Sequence, residues 1–351
     1  MKRILALALA LVMVFALCAC GNNSAPAASN APETQTPADA PEAPAEVITI
    51  KMAEASASTH ISCQTQNKFK ELIEEKSNGH IVVELYQDGT LGTEVETWDM
   101  IQQGTIQMLT AGSGSESSFM PEYQITGAPY VFSSYEQFSN TMMDETVLDM
   151  FNAGLKETKD ARLLNIWERG ARNLTANKEI VHPEDVNGLK VRVPGNEVYL
   201  ATWEALGANI VSMPYAEVYT ALQQGTADAQ ENPVETILAG SFYEVQDYMM
   251  TTEHVYSCGY VIINDSFFSG LSAEDQQLIV DCVEEARQWN DEKFEAEYDD
   301  MVQQLVDNGM TVVEIDNAEW QDSLSYLIEE FETKFGWDAD FDAAVMAALS
   351  K

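Results

Sequence analysis

Basic residues are what this chain of 351 residues has least of: 18 Lys and Arg stand against 57 Asp and Glu, a formal charge of −39. That imbalance excludes nucleic acid as a partner, because phosphate contacts need many Lys and Arg. It also argues against a protein that lies flat on anionic lipid. An acidic surface of this kind keeps an exported protein soluble. Cysteine is scarce too. Cys18 and Cys20 sit in the first twenty residues, which leaves Cys63, Cys258 and Cys282 in the body. They form an odd set with no CxxC and apolar or small neighbours, so buried thiols are expected rather than a zinc site, with one bridge left open. Catalytic signatures are missing as well: the chain has no GxSxG, HExxH, GxxxxGK[ST] or GxGxxG. Its four histidines are isolated, and paired carboxylates carry no signal in so acidic a chain. No enzyme is expected, and neither a metal nor a cofactor.

Only the first residues make an apolar run. Lys2 and Arg3 precede Ile4–Leu17, the layout of a signal peptide and short for a membrane span. Leu17-Cys18-Ala19-Cys20-Gly21 resembles the lipobox of bacterial lipoproteins, which implies cleavage before Cys20 and a lipid anchor on it. An ordinary secreted protein cut near the same place is the competing reading. Residues 21–46 are Ala, Pro and small polar residues, a solvated tether. The expected place of work is outside the cytoplasm, at the outer face of the cell membrane or in the periplasm.

About 300 residues follow, enough for two α/β lobes. Residues 46–112 alternate strand and helix patterns, β-α-β-α-β, and the pattern restarts at 185–233. Two copies of QQGT, at 102–105 and 223–226, occupy equivalent places in the two runs. Each reads as a helix stop at Gly with a strand begun by Thr. YVIINDSFF (260–268) reads as a strand, 271–309 as one long helix bridging the lobes, and the rest as a strand and C-terminal helices. Only six arginines are present, and Arg169, Arg172 and Arg192 fall close together. Arg169 follows Glu168 directly and has it as a candidate partner. Arg192 alternates with Val191 and Val193, so it points away from the face those valines cover.

Three segments carry a resemblance: GARNLTANKEIVHPEDVNGLKVRVPG (170–195), ALGANIVSMPYAEVYTALQQGTADAQENP (205–233) and YQDGTLGTEVETWDMIQQGTIQM (86–108). Over 47–330 the chain is similar to the DctP-type solute-binding proteins of TRAP transporters. The resemblance implies an α/β, two-lobed fold of the type II periplasmic-binding-protein kind, with mixed sheets flanked by helices, a ligand cleft between the lobes and a long lobe-spanning helix. It implies a protein that captures an organic acid, a C4-dicarboxylate or an acidic sugar such as a uronate, and delivers it to the membrane permease subunits; a monomer is the default expectation, with a dimer through a C-terminal helix the alternative. A ligand sensor coupled to a signalling partner shares every one of these features and is the alternative.

By the same resemblance Arg192 takes the substrate carboxylate, Arg172 assists, Asn232 contacts the carboxylate end and Tyr215 packs on the ligand. Glu94 reads its distal part, although a Glu opening a helix is also a plain first-turn acid. Ser56, His60 and Ser113 lie at element ends facing the same cleft. The expected division is signal peptide 1–19, lipidated Cys and tether 20–46, lobe I at 47–169 with 258–297, and lobe II at 170–257 with 298–351.

Overall fold

The computed structural model describes residues 47–351; Cys20 and the segments expected to be a signal peptide and a tether lie outside the described residues. The chain opens with β1 (Ile48–Glu54), α1 (Ile61–Lys76), β2 (Ile81–Tyr86), α2 (Glu94–Gln102) and β3 (Met108–Gly112). β1 pairs in parallel with β2 and β3, as strands joined by crossover helices do. Local chemistry sets the boundaries. Thr93 and Glu96 form a reciprocal capping box that starts α2.

After α3 (Tyr135–Met142) and α4 (Glu145–Lys159) comes β4 (Ala161–Ala176), a strand of 16 residues. A second β-α-β-α-β run follows: β5 (Lys190–Val193), α5 (Glu197–Ala205), β6 (Asn209–Ser212), α6 (Val218–Gln223) and β7 (Ala229–Pro233). β5 pairs in parallel with β6 and β7, repeating the first unit. The QQGT glycines stop α2 and α6 with φ of +66° at Gly104 and +68° at Gly225. In each copy the strand begins three residues beyond the Thr, at Met108 and Ala229, and not at the Thr itself.

The two sheets meet in β4. Residues 161–171 pair antiparallel with β9 (Tyr256–Asn264) beside β3. Residues 172–176 pair with β7 and with β8 (Tyr248–Met250), which follows α7 (Val234–Ala239). The result is a mixed α/β, two-lobed fold of the periplasmic-binding-protein kind. Where β4 crosses over, the pairing slips between Glu168 and Gly170. Gly170 has φ +80°, and a Cβ there would stand 2.6 Å from the Phe294 ring.

YVIINDSFF divides differently from the sequence reading. The strand ends at Asn264, whose side chain accepts from Phe267 N–H and opens α8 (Asp265–Gly270). The long helix α9 (Ala273–Asp307) starts at a Ser272 cap. It buries Ile279, Cys282, Val283 and Ala286 with Ile50 and Phe69, then Phe294, Met301 and Leu305 with Val218, Ile237 and Phe242. It therefore packs on both halves. β10 (Thr311–Val313) extends the second sheet at β8.

The last helices are α10 (Asn317–Leu324), α11 (Leu327–Phe335) and α12 (Ala339–Leu349). Trp320 joins Leu174, Val191 and Trp203 in the core of the second half. Leu327, Phe331, Phe341 and Val345 instead join Leu109, Phe151 and Tyr260 in that of the first. The chain end thus packs against both cores. α12 packs on α3 and α4. Cys63, Cys258 and Cys282 are buried free thiols. No described helix is long and apolar enough to cross a membrane.

Candidate functional site

A cleft runs between the two β-α-β-α-β units, where strand ends from both halves converge. Its inner cavity, about 140 Å³, is lined by Ser56, Glu94 and Ser113–Ser115 from the first half and by Arg192, Asn196, Tyr199, Tyr215, Asn232 and Thr236 from the second. Arg169 and Arg172 of the shared strand β4 complete it. A wider mouth of about 530 Å³ lies over Glu94, Val95, Met213 and Tyr215. All five residues singled out for the ligand (Arg172, Arg192, Asn232, Tyr215 and Glu94) line the inner cavity, as do Ser56 and Ser113. His60 does not. It caps α1 through Nδ1 and turns Nε2 toward Arg169, 3.0 Å away.

The three arginines meet unlike surroundings. Arg172 is buried and held by Glu231, from Nε to Oε2 at 2.5 Å and from Nη2 to Oε1 at 2.8 Å. Nη2 also reaches Asn232 Oδ1 at 3.2 Å, and the guanidinium lies over the Tyr199 ring. Glu231 is 1 % exposed, and burial alone would raise its pKa; Arg172 and the His254 ring, 3.1 Å away, hold it down to about 2. Arg169 donates from Nε to Glu235 Oε1 at 3.1 Å and from Nη2 to Thr236 Oγ1 at 3.2 Å. Burial likewise opposes the charge on Glu235, and His60 and Arg169 hold its pKa down to about 2.

Arg192 has no such partner. It is 3 % exposed, yet Nε and Nη2 reach only the Met213 carbonyl, at 3.3 and 2.8 Å. Among the described residues it is the one arginine without a carboxylate within salt-bridge distance; Arg162, Arg169, Arg172 and Arg287 each have one. Loss of hydration pulls its pKa down to about 10. A buried guanidinium satisfied on one edge by a neutral carbonyl is a strong receptor for an anion. The alternation in β5 explains its aim: Val191 and Val193 enter the core while Arg192 turns into the cleft.

Opposite the arginines the wall is polar and carries a carboxylate. Glu94 Oε1 accepts from Gly112 N–H at 2.7 Å, which fixes it at the start of α2. The Tyr215 hydroxyl donates to the Thr236 carbonyl at 3.4 Å, setting its ring at the edge of the cavity. Asn232 Nδ2 donates to Gln230 Oε1 at 2.5 Å, so its oxygen faces Arg172. Among the described residues no group of His, Cys, Asp and Glu has the arrangement of a metal site. The buried Glu235 and His60 hold Arg169, and Glu231, with His254 beside it, holds Arg172.

Sequence reasoning left out Arg169, Asn196, Tyr199 and Thr236. Arg169 does not pair with Glu168, its neighbour in sequence. Successive residues of a strand point to opposite faces, so Arg169 turns inward to Glu235. The available signal was Asn196, a cap residue four positions beyond Arg192.

The chain matches a family model described as bacterial extracellular solute-binding protein, family 7 (DctP), over residues 52–334. It is 32 % identical over 279 residues to the 2,3-diketo-L-gulonate-binding periplasmic protein of Escherichia coli, covering 79 % of this chain and 84 % of that one. A TRAP periplasmic solute-binding protein of Roseobacter denitrificans, solved with bound L-galactonate, is 28 % identical with a TM-score of 0.78, over 86 % of this chain and 99 % of that one. Another from Fusobacterium nucleatum, with sn-glycerol-3-phosphate, is 28 % identical with a TM-score of 0.80, over 87 % and 97 %.

Proposed function

This chain belongs to the DctP family of extracellular solute-binding proteins that serve TRAP transporters, and from that premise we propose that Arg192 captures the carboxylate of a hydroxylated organic acid for delivery to the membrane permease. The observation that carries this reading is the single uncommitted guanidinium in the cleft. A carboxylate there replaces lost hydration with a charge-assisted contact in a low-dielectric site. Arg172 adds its free Nη1 edge, Asn232 fixes the orientation of Arg172, and Tyr215 gives the ligand an apolar edge to lie on. The protein performs no covalent chemistry.

The distal wall narrows the ligand class. A C4-dicarboxylate needs a second uncommitted cation; Arg169 and Arg172, which also line the cavity, are already paired with Glu235 and Glu231, and the remaining wall carries serines and the Glu94 carboxylate. Hydroxyls suit those acceptors, whereas a second carboxylate beside Glu94 meets like charge. An aldonate or uronate therefore fits better than succinate. The sugar acids named for two of its relatives agree with that choice.

Thermal-shift titration with L-galactonate, D-glucuronate, L-malate and succinate tests the assignment. The sugar acids should raise the melting temperature, the C4-dicarboxylates should do so weakly, and Arg192→Ala should remove the effect. If no carboxylate stabilises the protein, or if Arg192→Ala binds as well as the parent, the assignment is overturned. We further propose that Cys20 carries the lipid anchor, on the strength of the Leu17–Gly21 lipobox. Detergent phase partition should then shift from the detergent to the aqueous phase on Cys20→Ser, and an unchanged partition would refute the anchor.

A further inference from the structure

A second cavity, of about 570 Å³, opens along one face of α9 and shares no residue with the ligand cavity. Asp291, Phe294, Glu295, Tyr298 and Asp299 of that helix form one wall. Tyr135 and Glu136 of α3, Glu168 of β4, and Glu253 and Tyr256 at the entry to β9 form the others. Gly170 lets helix and strand come together there. A Cβ on it would stand 2.6 Å from the Phe294 ring, so its bare backbone admits the ring against the strand.

The lining combines aromatic rings and carboxylates with almost no cation to balance them. Asp291 pairs with Arg287, but Glu136, Glu168, Glu253, Glu295 and Asp299 have no salt bridge among the described residues. Elsewhere Asp265 and Glu284, which are no more exposed, are paired. No Lys or Arg among the described residues lies over the rings of Tyr135, Tyr256, Phe294 or Tyr298. Burial, then Asp291 and Glu295, push Glu168 up to about 8. The Tyr135 hydroxyl is buried without a hydrogen-bond partner, and burial, with Asp291 beside it, pushes its pKa well above the ordinary value. Ring faces, uncompensated carboxylates and an orphaned hydroxyl together make a receptor for a cation. No group of acids among the described residues has the arrangement of a metal site, so the cation is organic.

The spacing along α9 indicates its shape. Asp291, Glu295 and Asp299 recur every fourth residue on one face, with Phe294 and Tyr298 between them. Each step rises about 6 Å, and about four methylenes between two ammonium groups span the same length. We propose that this cavity is a second binding site, which takes a linear aliphatic polyamine with its ammonium groups on the α9 carboxylates and Glu168 and its methylenes across Phe294 and Tyr298. The site does not depend on which anion Arg192 takes.

Calorimetric titration of spermidine, putrescine, butylamine and magnesium chloride into the full chain, at physiological ionic strength and without organic acid, tests the site. Spermidine should bind one to one, putrescine more weakly, and butylamine and magnesium weakest of all. Glu295→Gln and Tyr298→Leu should each weaken spermidine about threefold to fivefold, as the loss of one partly exposed ion pair or ring contact does. The double variant should lose about tenfold or more. Glu274 is exposed in the first turn of α9 and outside the cavity, so Glu274→Gln should change nothing. Magnesium that binds as tightly as spermidine, or cavity variants that lose no more than Glu274→Gln, would mean attraction to the acidic surface at large and would overturn the site. A spermidine titration without saturable heat would overturn it as well.

Discussion

Arg172 and Arg192 are both buried and line the same cavity, yet their removal should act in opposite directions on the fold. Arg172 compensates Glu231, so taking it away leaves a buried carboxylate with only His254 beside it. Arg192 has no carboxylate within salt-bridge distance, and the charge of Glu231 offsets its desolvation only in part. Arg172→Met should therefore lower ligand-free stability by ~3–5 kcal/mol, the usual loss when one partner of a buried pair is removed. Arg192→Met should raise it, by ~1 kcal/mol, as often happens when a group kept for binding is replaced by an apolar one. Denaturant melts of both variants without ligand give the two signs directly. A destabilised Arg192→Met would mean that its bonds to the Met213 carbonyl outweigh the loss of hydration, and that the residue is structural.

Among the elements, those that carry strong local signals were legible, and those set by distant partners were not. The helix stops at Gly104 and Gly225 have an obligatory backbone conformation, so their mark in sequence is direct. The strand alternation of Val191, Arg192 and Val193 was equally plain, since one face is core and the other cleft. β4 is the contrary case. Its stretch ARLLNIWERGARNLTA mixes apolar and charged residues without a clean period, because it passes from one sheet to the other and slips register on the way. The pairing of Arg169 with Glu235, and of Arg172 with Glu231, spans about sixty residues and depends on that crossing. No local pattern encodes it. α11 and α12 were legible as helices, but nothing local says which half of the molecule their aromatic faces will cover. The role of Asn196 was half visible: an Asn before a helix suggests a cap, whereas its bond to Gln124 depends on a loop more than seventy residues earlier.

For the molecule as a whole, an excess of 39 acidic charges and a set of buried carboxylates pull stability in two directions as pH changes. Glu231 and Glu235 have their pKa values held near 2 by buried cations, below the unfolded value. Their contribution is present above the unfolded pKa and is lost as pH falls through the folded one. Glu116, Glu168 and Asp342 behave oppositely. Burial pushes Glu116 up to about 7; burial with Asp291 and Glu295 pushes Glu168 to about 8, and burial with Glu332 and Asp338 pushes Asp342 to about 7. The folded state holds those protons more tightly than the unfolded chain, so stability declines as pH rises from the unfolded value toward 7–8. Repulsion across the acidic surface adds to the same decline. Stability should therefore peak in mild acid, at about pH 5, where the paired carboxylates are ionised and the isolated ones are still protonated. Melting temperatures taken from pH 3 to pH 9 at fixed ionic strength read this out. A maximum at or above neutrality would show that the isolated carboxylates are hydrated in solution and cost the fold little.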